Sequence, residues 1–280
     1  MAKQHDPAKP LQNLITKTRN YENMKFDFRA SQLSCFRDRN LSGWVCEIFA
    51  SIQGEGIYCG QRQTFVRLAG CNLSCNYCDT KGSRDQKPAA ARIELGAGNQ
   101  KFDEMPNPVD TETVIAACHR LESKVIALTG GEPLVQADFL ARLMPDIKSA
   151  GMITYLETNG TLPDALARVI EHTDIAAMDI KLPSASGVPG LWEAHKQFLE
   201  VAAQKEVFVK AVVAPVTPDE EICRCAEIIA SVDRKIPLVI QPVSGAGFSA
   251  ISLIHMQDIA MDALSDVRVI PQCHKMLDMP

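Results

Sequence analysis

Gly70-Cys71-Asn72-Leu73-Ser74-Cys75-Asn76-Tyr77-Cys78-Asp79-Thr80 places three cysteines at the spacing CxxxCxxC in a loop. The loop directly follows an apolar run at 64–69 that reads as a buried strand. Thiolates this close in sequence converge on one side of a compact metal core, and thiolate donors select iron-sulfur clusters or zinc. A structural zinc site is closed by four ligands, and no nearby Cys or His completes one at a customary spacing. Three protein ligands leave one metal position open for chemistry.

The same arrangement, a polar cluster just after an apolar run, recurs along the chain. Further strands are expected at 45–52, 125–129, 153–157, 175–180, 207–213, 237–241 and 267–270. Amphipathic helices are expected at 111–121, 137–149, 164–171, 191–203, 219–231 and 249–264. TGGEP, ETNG, DIKLPS, AVVAP, QPVSG and PQCHK each follow a strand. In parallel α/β sheets and barrels the ligand site lies at the carboxyl ends of the strands, so these clusters should meet on one rim. The expected fold is α/β, a partial (β/α) barrel of mostly parallel strands over residues 42–280, treated as one catalytic domain. Residues 1–41 mix Lys, Arg, Asn and Gln with weak periodicity and read as a poorly ordered extension.

The 280 residues are 46% hydrophobic and 22% charged, with a formal net charge of -5. That balance gives no general attraction to nucleic acid or to an anionic membrane, and points to a small molecule or another protein as partner. No signal peptide and no apolar stretch of membrane-spanning length is found, so a cytoplasmic location is expected. Ten cysteines spread over so long a chain read as thiols or metal ligands rather than a disulfide framework. Cys35, Cys46, Cys59, Cys118 and Cys273 read as small buried hydrophobes. Cys223 and Cys225, two apart on a helix, do not share a face and so do not form a site.

With Tyr77 before its last cysteine, the loop resembles that of the radical S-adenosylmethionine (SAM) superfamily, and the fold is then the partial barrel of that type. The resemblance implies a 4Fe-4S cluster on Cys71, Cys75 and Cys78, with the amine and carboxylate of SAM at the fourth iron and a 5′-deoxyadenosyl radical released on cleavage. Gly130-Gly131-Glu132-Pro133 agrees with it: consecutive glycines let the backbone approach a ligand, and a carboxylate can receive an ammonium. Ser51-Ile52-Gln53-Gly54-Glu55-Gly56, Phe65-Val66-Arg67-Leu68-Ala69-Gly70 and the CDT after the cluster loop are similar to the 7-carboxy-7-deazaguanine synthase family. So are Trp192, His195, Phe208-Val209-Lys210, Gln241-Pro242 and His274-Lys275.

That family resemblance implies a substrate, 6-carboxy-5,6,7,8-tetrahydropterin, and a radical ring contraction with loss of ammonia, giving 7-carboxy-7-deazaguanine for queuosine and other deazapurines. It implies substrate contacts at Ile52, Gln53, Gly54, Glu55, Arg67, Thr129, His274 and Pro280, with Arg67 on the carboxylate and Glu157 as a catalytic group. SAM contacts follow at Tyr77, Cys78, Asp79, Gly130, Gly131, Glu132, Lys181, Gln241, Pro242, Val243 and Ser244. Asp179 and Ile180 stand where many relatives have Ser-Pro, and are carried over with Lys181. Thr80 is the implied magnesium ligand, a hard oxygen donor. An electron donor such as flavodoxin or ferredoxin is implied, and a homodimer is left open.

Two other readings stay open at this point. A glycyl-radical activating enzyme also combines CxxxCxxC, GGE and a DIK-like segment but acts on a partner protein; SIQGEG and CDT weigh against it. A non-catalytic iron-sulfur or zinc module is the other, and the missing fourth ligand weighs against that.

Overall fold

The computed structural model describes residues 41–84 and 87–279. The expected extension over 1–41, apart from Leu41, and the expected contact Pro280 lie outside the described residues, as does Cys35. Ten strands are found among those described. They are β1 (Val45–Ile52), β2 (Arg62–Leu68), β3 (Ala90–Glu94), β4 (Phe102–Pro106), β5 (Val125–Gly130), β6 (Ile153–Thr158), β7 (Ile175–Ile180), β8 (Glu206–Val213), β9 (Leu238–Pro242) and β10 (Val267–Val269).

These strands build one sheet in the order β10-β9-β8-β7-β6-β5-β2-β1-β3-β4. The seven from β10 to β2 are mutually parallel, the expected partial (β/α) barrel. β1 departs from the expected strand-helix alternation by pairing antiparallel with β2. The connection 53–61 is too short for the crossover that a parallel pair needs. β3 and β4 were not expected. Arg92, Glu94, Asp103 and Glu104 interrupt their apolar runs, and β3 is held by parallel pairing with β1 and antiparallel pairing with β4.

Helices α1 (Thr111–Arg120), α2 (Ala137–Ser149), α3 (Pro163–Ala167), α4 (Trp192–Ala202), α5 (Asp219–Asp233) and α6 (Ala250–Met261) follow the strands. Asp110 caps α1 by accepting from Thr113 N at 2.8 Å. The helix expected at 164–171 stops at Ala167 and resumes only as a 3-10 turn, Ile170–His172. Leu68, Ile126, Leu128 and Leu156 from the sheet are fully buried in one core with Leu140, Leu143, Phe198 and Leu199 from the helices. Each such side chain stabilises the fold by about 2 kcal/mol.

The opposite face of the sheet carries a second, smaller cluster: Phe49, Phe65, Ala127, Tyr155, Phe208 and Val239. Because a strand has a side-chain period of two, the residues two positions further along stand beside these on the same face. For five of the parallel strands those residues are Arg67, Thr129, Glu157, Lys210 and Gln241, and on β7 Asp179 follows Ala177. All six line one cavity of about 1160 Å³, an apolar floor with a polar wall above it.

Candidate active site

Cys71, Cys75 and Cys78 line this cavity, each half-buried and none in a disulfide. Their loop is tied down by neighbours. Arg84 donates to the Cys75 carbonyl at 2.7 Å and to Ser74 Oγ at 3.0 Å. Asn76 N donates to Ser186 O at 2.8 Å, and Asn159 Nδ2 to Asn72 Oδ1 at 2.8 Å. The glycines after β5 abut the base of the loop. At Gly130, with φ 129°, an added Cβ would lie 2.1 Å from Leu68 O; at Gly131 it would lie 2.1 Å from Gly70 O and 3.0 Å from Cys71 Cβ.

Burial pushes the Cys71 and Cys75 thiols up, so binding of a metal core must release their protons. Among the described residues, the side chains close enough for a single ion, with ligand atoms within 4.8 Å of one another, are Glu55, Asp79 and His274. The three thiols do not form such a group, as suits a larger multi-iron core. In the same cavity Asp179 Oδ1 and Gln241 Oε1 are buried acceptors with no hydrogen-bond partner among the described residues. The residues present therefore fit a thiolate-held cluster with a polar ligand beside it.

The turn after β1 crosses the cavity side of the sheet. Gln53 is buried; its Nε2 donates to Glu157 Oε1 at 2.7 Å and to Gln63 Oε1 at 3.2 Å, while its Oε1 accepts from Glu55 N at 3.0 Å. Glu157 Oε2 accepts from Thr129 Oγ1 at 2.6 Å. Glu55 pairs with Lys210 and accepts from Gln272 Nε2 at 2.7 Å. Burial pushes the Glu55 carboxyl up, but the Lys210 charge and these hydrogen bonds outweigh it and hold it down at about 2. A Cβ at Gly54 would lie 2.3 Å from His274 Nδ1, and Cys273 N donates to Gly54 O at 2.8 Å. The short helix α7 (Cys273–Met276) thus rests against this turn. Arg67 donates from Nε to Glu47 Oε1 at 2.8 Å, with its guanidinium 5.5 Å from the Phe49 ring centre.

On the other wall, Asp179 Oδ2 lies 2.9 Å from Lys181 Nζ and 3.3 Å from Lys210 Nζ. Lys181 Nζ is 5.2 Å from the Tyr77 ring centre. Burial and the Asp179 charge push the Tyr77 phenol up. Thr80 Oγ1 donates to Gly130 O at 3.4 Å. Asp79 lies 3.3 Å from Lys275 Nζ and accepts from Gln272 Nε2 at 3.3 Å.

The cavity brings together the expected residues Ile52, Gln53, Gly54, Glu55, Arg67, Tyr77, Cys78, Asp79, Thr80, Thr129, Gly130, Gly131, Glu157, Asp179, Lys181, Gln241, Val243, Ser244 and His274. Three expected contacts are not in its wall. The Glu132 carboxylate is fully buried and accepts from Leu134 N at 3.0 Å, Thr158 Oγ1 at 2.9 Å and Asn159 N at 2.7 Å. It ties β5 to β6 instead of facing a ligand ammonium. Ile180 points its side chain into the helix-side core, and Pro242, between the inward-facing Gln241 and Val243, is outside the lining.

The sequence assigns no role in the site to Lys210, Gln63, Glu47 or Gln272. For Lys210 there was a signal, a charge in an otherwise apolar strand; for Gln272 there was none. His195, one of the family-like features, is fully buried, with Nε2 3.2 Å from Asn159 O. Cys118 and Cys225 are buried, whereas Cys46, Cys59 and Cys273 are only half-buried and Cys223 is exposed.

Residues 65–229 match the model of the Radical SAM superfamily. A 7-carboxy-7-deazaguanine synthase of Geobacter sulfurreducens is 43% identical over 241 residues, covering 82% of this chain and 95% of that protein. A 7-carboxy-7-deazaguanine synthase of Methanopyrus kandleri is 36% identical over 244 residues, covering 84% and 93%. The crystal structure of QueE from Escherichia coli shares the fold, with a TM-score of 0.54 at 22% identity over 84% of this chain and 95% of that one.

Proposed function

Because the chain belongs to the radical SAM superfamily and, within it, to the 7-carboxy-7-deazaguanine synthase family, we propose that the cavity residues divide that family's reaction among themselves. The reaction is the radical ring contraction of 6-carboxy-5,6,7,8-tetrahydropterin to 7-carboxy-7-deazaguanine with loss of ammonia, in queuosine and 7-deazapurine biosynthesis. Cys71, Cys75 and Cys78 hold the 4Fe-4S cluster. Gly130, Gly131, Tyr77, Asp179, Lys181, Gln241, Val243 and Ser244 hold SAM, and Thr80 holds Mg2+. When bound, the cluster and SAM would supply one-electron hydrogen abstraction from the substrate.

The chain's own residues bind, orient and accept protons. Arg67, steadied at Nε by Glu47, offers its two terminal nitrogens to the pterin carboxylate. Glu55, kept ionised, accepts from the amide-like donors on the pterin edge, with Gln53 and Gly54 beside it. Glu157, aimed by Gln53 and Thr129, takes the proton that a ring nitrogen or carbon must lose. The apolar floor of Phe49, Phe65, Tyr155 and Phe208 excludes water beneath the reacting ring. His274 closes the mouth against Gly54, and the same closing role extends to Pro280.

The observation that carries this reading is that one cavity joins the three thiols to a paired arginine and two oriented carboxylates. A glycyl-radical activating enzyme would need a groove for a protein loop. Here the 53–56 turn lines the cavity on that side of the sheet with polar groups, and the Asp179 of the DIK-like segment is engaged by Lys181 and Lys210.

Residues 42–280 are taken as the catalytic domain, working in the cytoplasm with a flavodoxin- or ferredoxin-type donor. No disulfide joins the described cysteines, which suits a reducing compartment, and no helix among the described residues is long and apolar enough to cross a membrane. The test is equilibrium dialysis of the reconstituted protein, with SAM and Mg2+, against the carboxypterin and against the same pterin lacking its carboxylate. Tight binding of the first alone is expected; equal binding of both would overturn the assignment of Arg67.

A further inference from the structure

Lys210 is the one charge in the run Val207 to Val213 on β8, and the register sets it opposite Asp179 on β7. Its ammonium pairs with Glu55 Oε2 from the 53–56 turn and lies 3.3 Å from Asp179 Oδ2, an oxygen that Lys181 Nζ also approaches at 2.9 Å. A continuous polar chain results. Thr129 binds Glu157, Glu157 binds Gln53, Gln53 caps the backbone of Glu55, and Glu55 is joined through Lys210 to Asp179 and Lys181. At one end stand the groups assigned to the pterin; at the other, those assigned to SAM.

Lys210 also lies at the point where the chain is most vulnerable. Its removal would leave Asp179 paired with Lys181, and the half-buried Glu55 with Gln272 and the His274 imidazole but no paired ammonium or guanidinium among the described residues. The other groups around Glu55 are Gln272, His274 and Asp79 from the far side of the mouth, Cys59 on its own loop, and Tyr155 from β6. Asp79 repels it, His274 attracts it more weakly than Lys210 does, and Gln272 and Tyr155 are neutral.

We propose that Lys210 is a positioning residue that acts through Glu55, fixing its carboxylate at the pterin edge and tying that edge to the Asp179-Lys181 wall of the SAM site. This rests on the reading of the cavity as a pterin site. The role differs from a direct contact, in which Lys210 would itself hold the substrate, and from a structural role, in which it would merely neutralise the strand.

A double-mutant cycle separates the three. The parent, Glu55→Gln, Lys210→Met and the double variant are reconstituted with cluster, SAM and Mg2+, and carboxypterin affinity is measured by equilibrium dialysis. Each single change is expected to weaken binding by roughly thirtyfold, as for loss of a charged hydrogen-bond partner. The double variant is expected within about threefold of Glu55→Gln, because a residue acting through Glu55 has nothing left to position. Lys210→Arg, which keeps the charge, should recover most of the affinity.

Losses that multiply in the double variant would show an independent contact and overturn the proposal. If Lys210→Met does not fold, the double variant, in which Glu55 is neutral and Asp179 keeps Lys181, decides the matter by the same criterion. Failure of both to fold would make Lys210 a structural lysine and overturn it too. A parent that does not bind the carboxypterin at all would overturn the site reading itself, a result distinct from an absent coupling.

Discussion

Gln53 Nε2 donates to Glu157 Oε1 across 2.7 Å, joining positions 104 apart in the sequence. With Thr129 on the other carboxylate oxygen, Glu157 is aimed but not fully occupied, since each oxygen has a second lone pair.

Glu157→Gln tests whether this group works as a base. Its amide can keep Gln53 as donor, and the Thr129 hydroxyl can turn from donor to acceptor, so the geometry survives while the charge is lost. We expect kcat to fall roughly 100-fold or more, with pterin affinity within about threefold of the parent. SAM cleavage without substrate should be unchanged. A kcat within threefold of the parent would remove Glu157 from the catalytic residues.

Arg67→Ala should weaken carboxypterin binding by roughly 100-fold or more, the cost of leaving a buried charge without its partner, about 3 to 5 kcal/mol. Both proteins should bind the decarboxylated pterin equally poorly. If the variant loses the same factor on both ligands, Arg67 supports the wall by its bond to Glu47 and does not read the carboxylate.

Gly130→Ala forces a side chain onto a backbone with φ 129° and a Cβ to within 2.1 Å of Leu68 O. The strain should cost about 2 to 3 kcal/mol, lowering Tm by roughly 5 to 10 °C for a domain of this size. The displaced cluster loop should also bind less iron. Unchanged Tm and iron content would show that the turn is looser than described.

His195 gives a pH-dependent stability. Burial pushes it down from 6.5 to about 4, against the opposing Asn159 carbonyl. The unfolded chain takes up a proton below 6.5 that the folded chain refuses, so this contribution is complete above 6.5 and is lost as pH falls through about 4. The advantage of the parent over His195→Asn in urea unfolding should shrink by about 2 to 3 kcal/mol between neutral pH and pH near 4. Burial raises Glu132 to about 7, which slopes the opposite way, but both proteins carry it and it cancels in the difference. A difference that stays flat with pH would contradict the buried neutral imidazole.

Local chemistry was what the sequence made legible. The strand at 175–180 is legible to its ends, because an apolar run with turn signals on both sides specifies itself. The three cysteines declared a metal core because their spacing is short. What escaped was long-range. The β3-β4 pair depends on β1 for its place in the sheet, and its alternating charges give no run to read. Lys210 meets Glu55 across 155 positions, and Gln272 meets it across 217; neither contact leaves a mark on the residues nearby. Glu132 was expected at the ligand because GGEP is a ligand-binding stretch, but burial requires its carboxylate to take up the donors of β6.

The most direct test of the account is one turnover experiment. The anaerobically reconstituted protein is given a low-potential reductant, SAM, Mg2+ and 6-carboxy-5,6,7,8-tetrahydropterin, and the products are followed by mass spectrometry alongside an ammonia assay. The account predicts 7-carboxy-7-deazaguanine and ammonia in equal amounts, both abolished when any one of Cys71, Cys75 or Cys78 is Ala. Cleavage of SAM with the pterin left intact, or product from a cysteine variant, would contradict it.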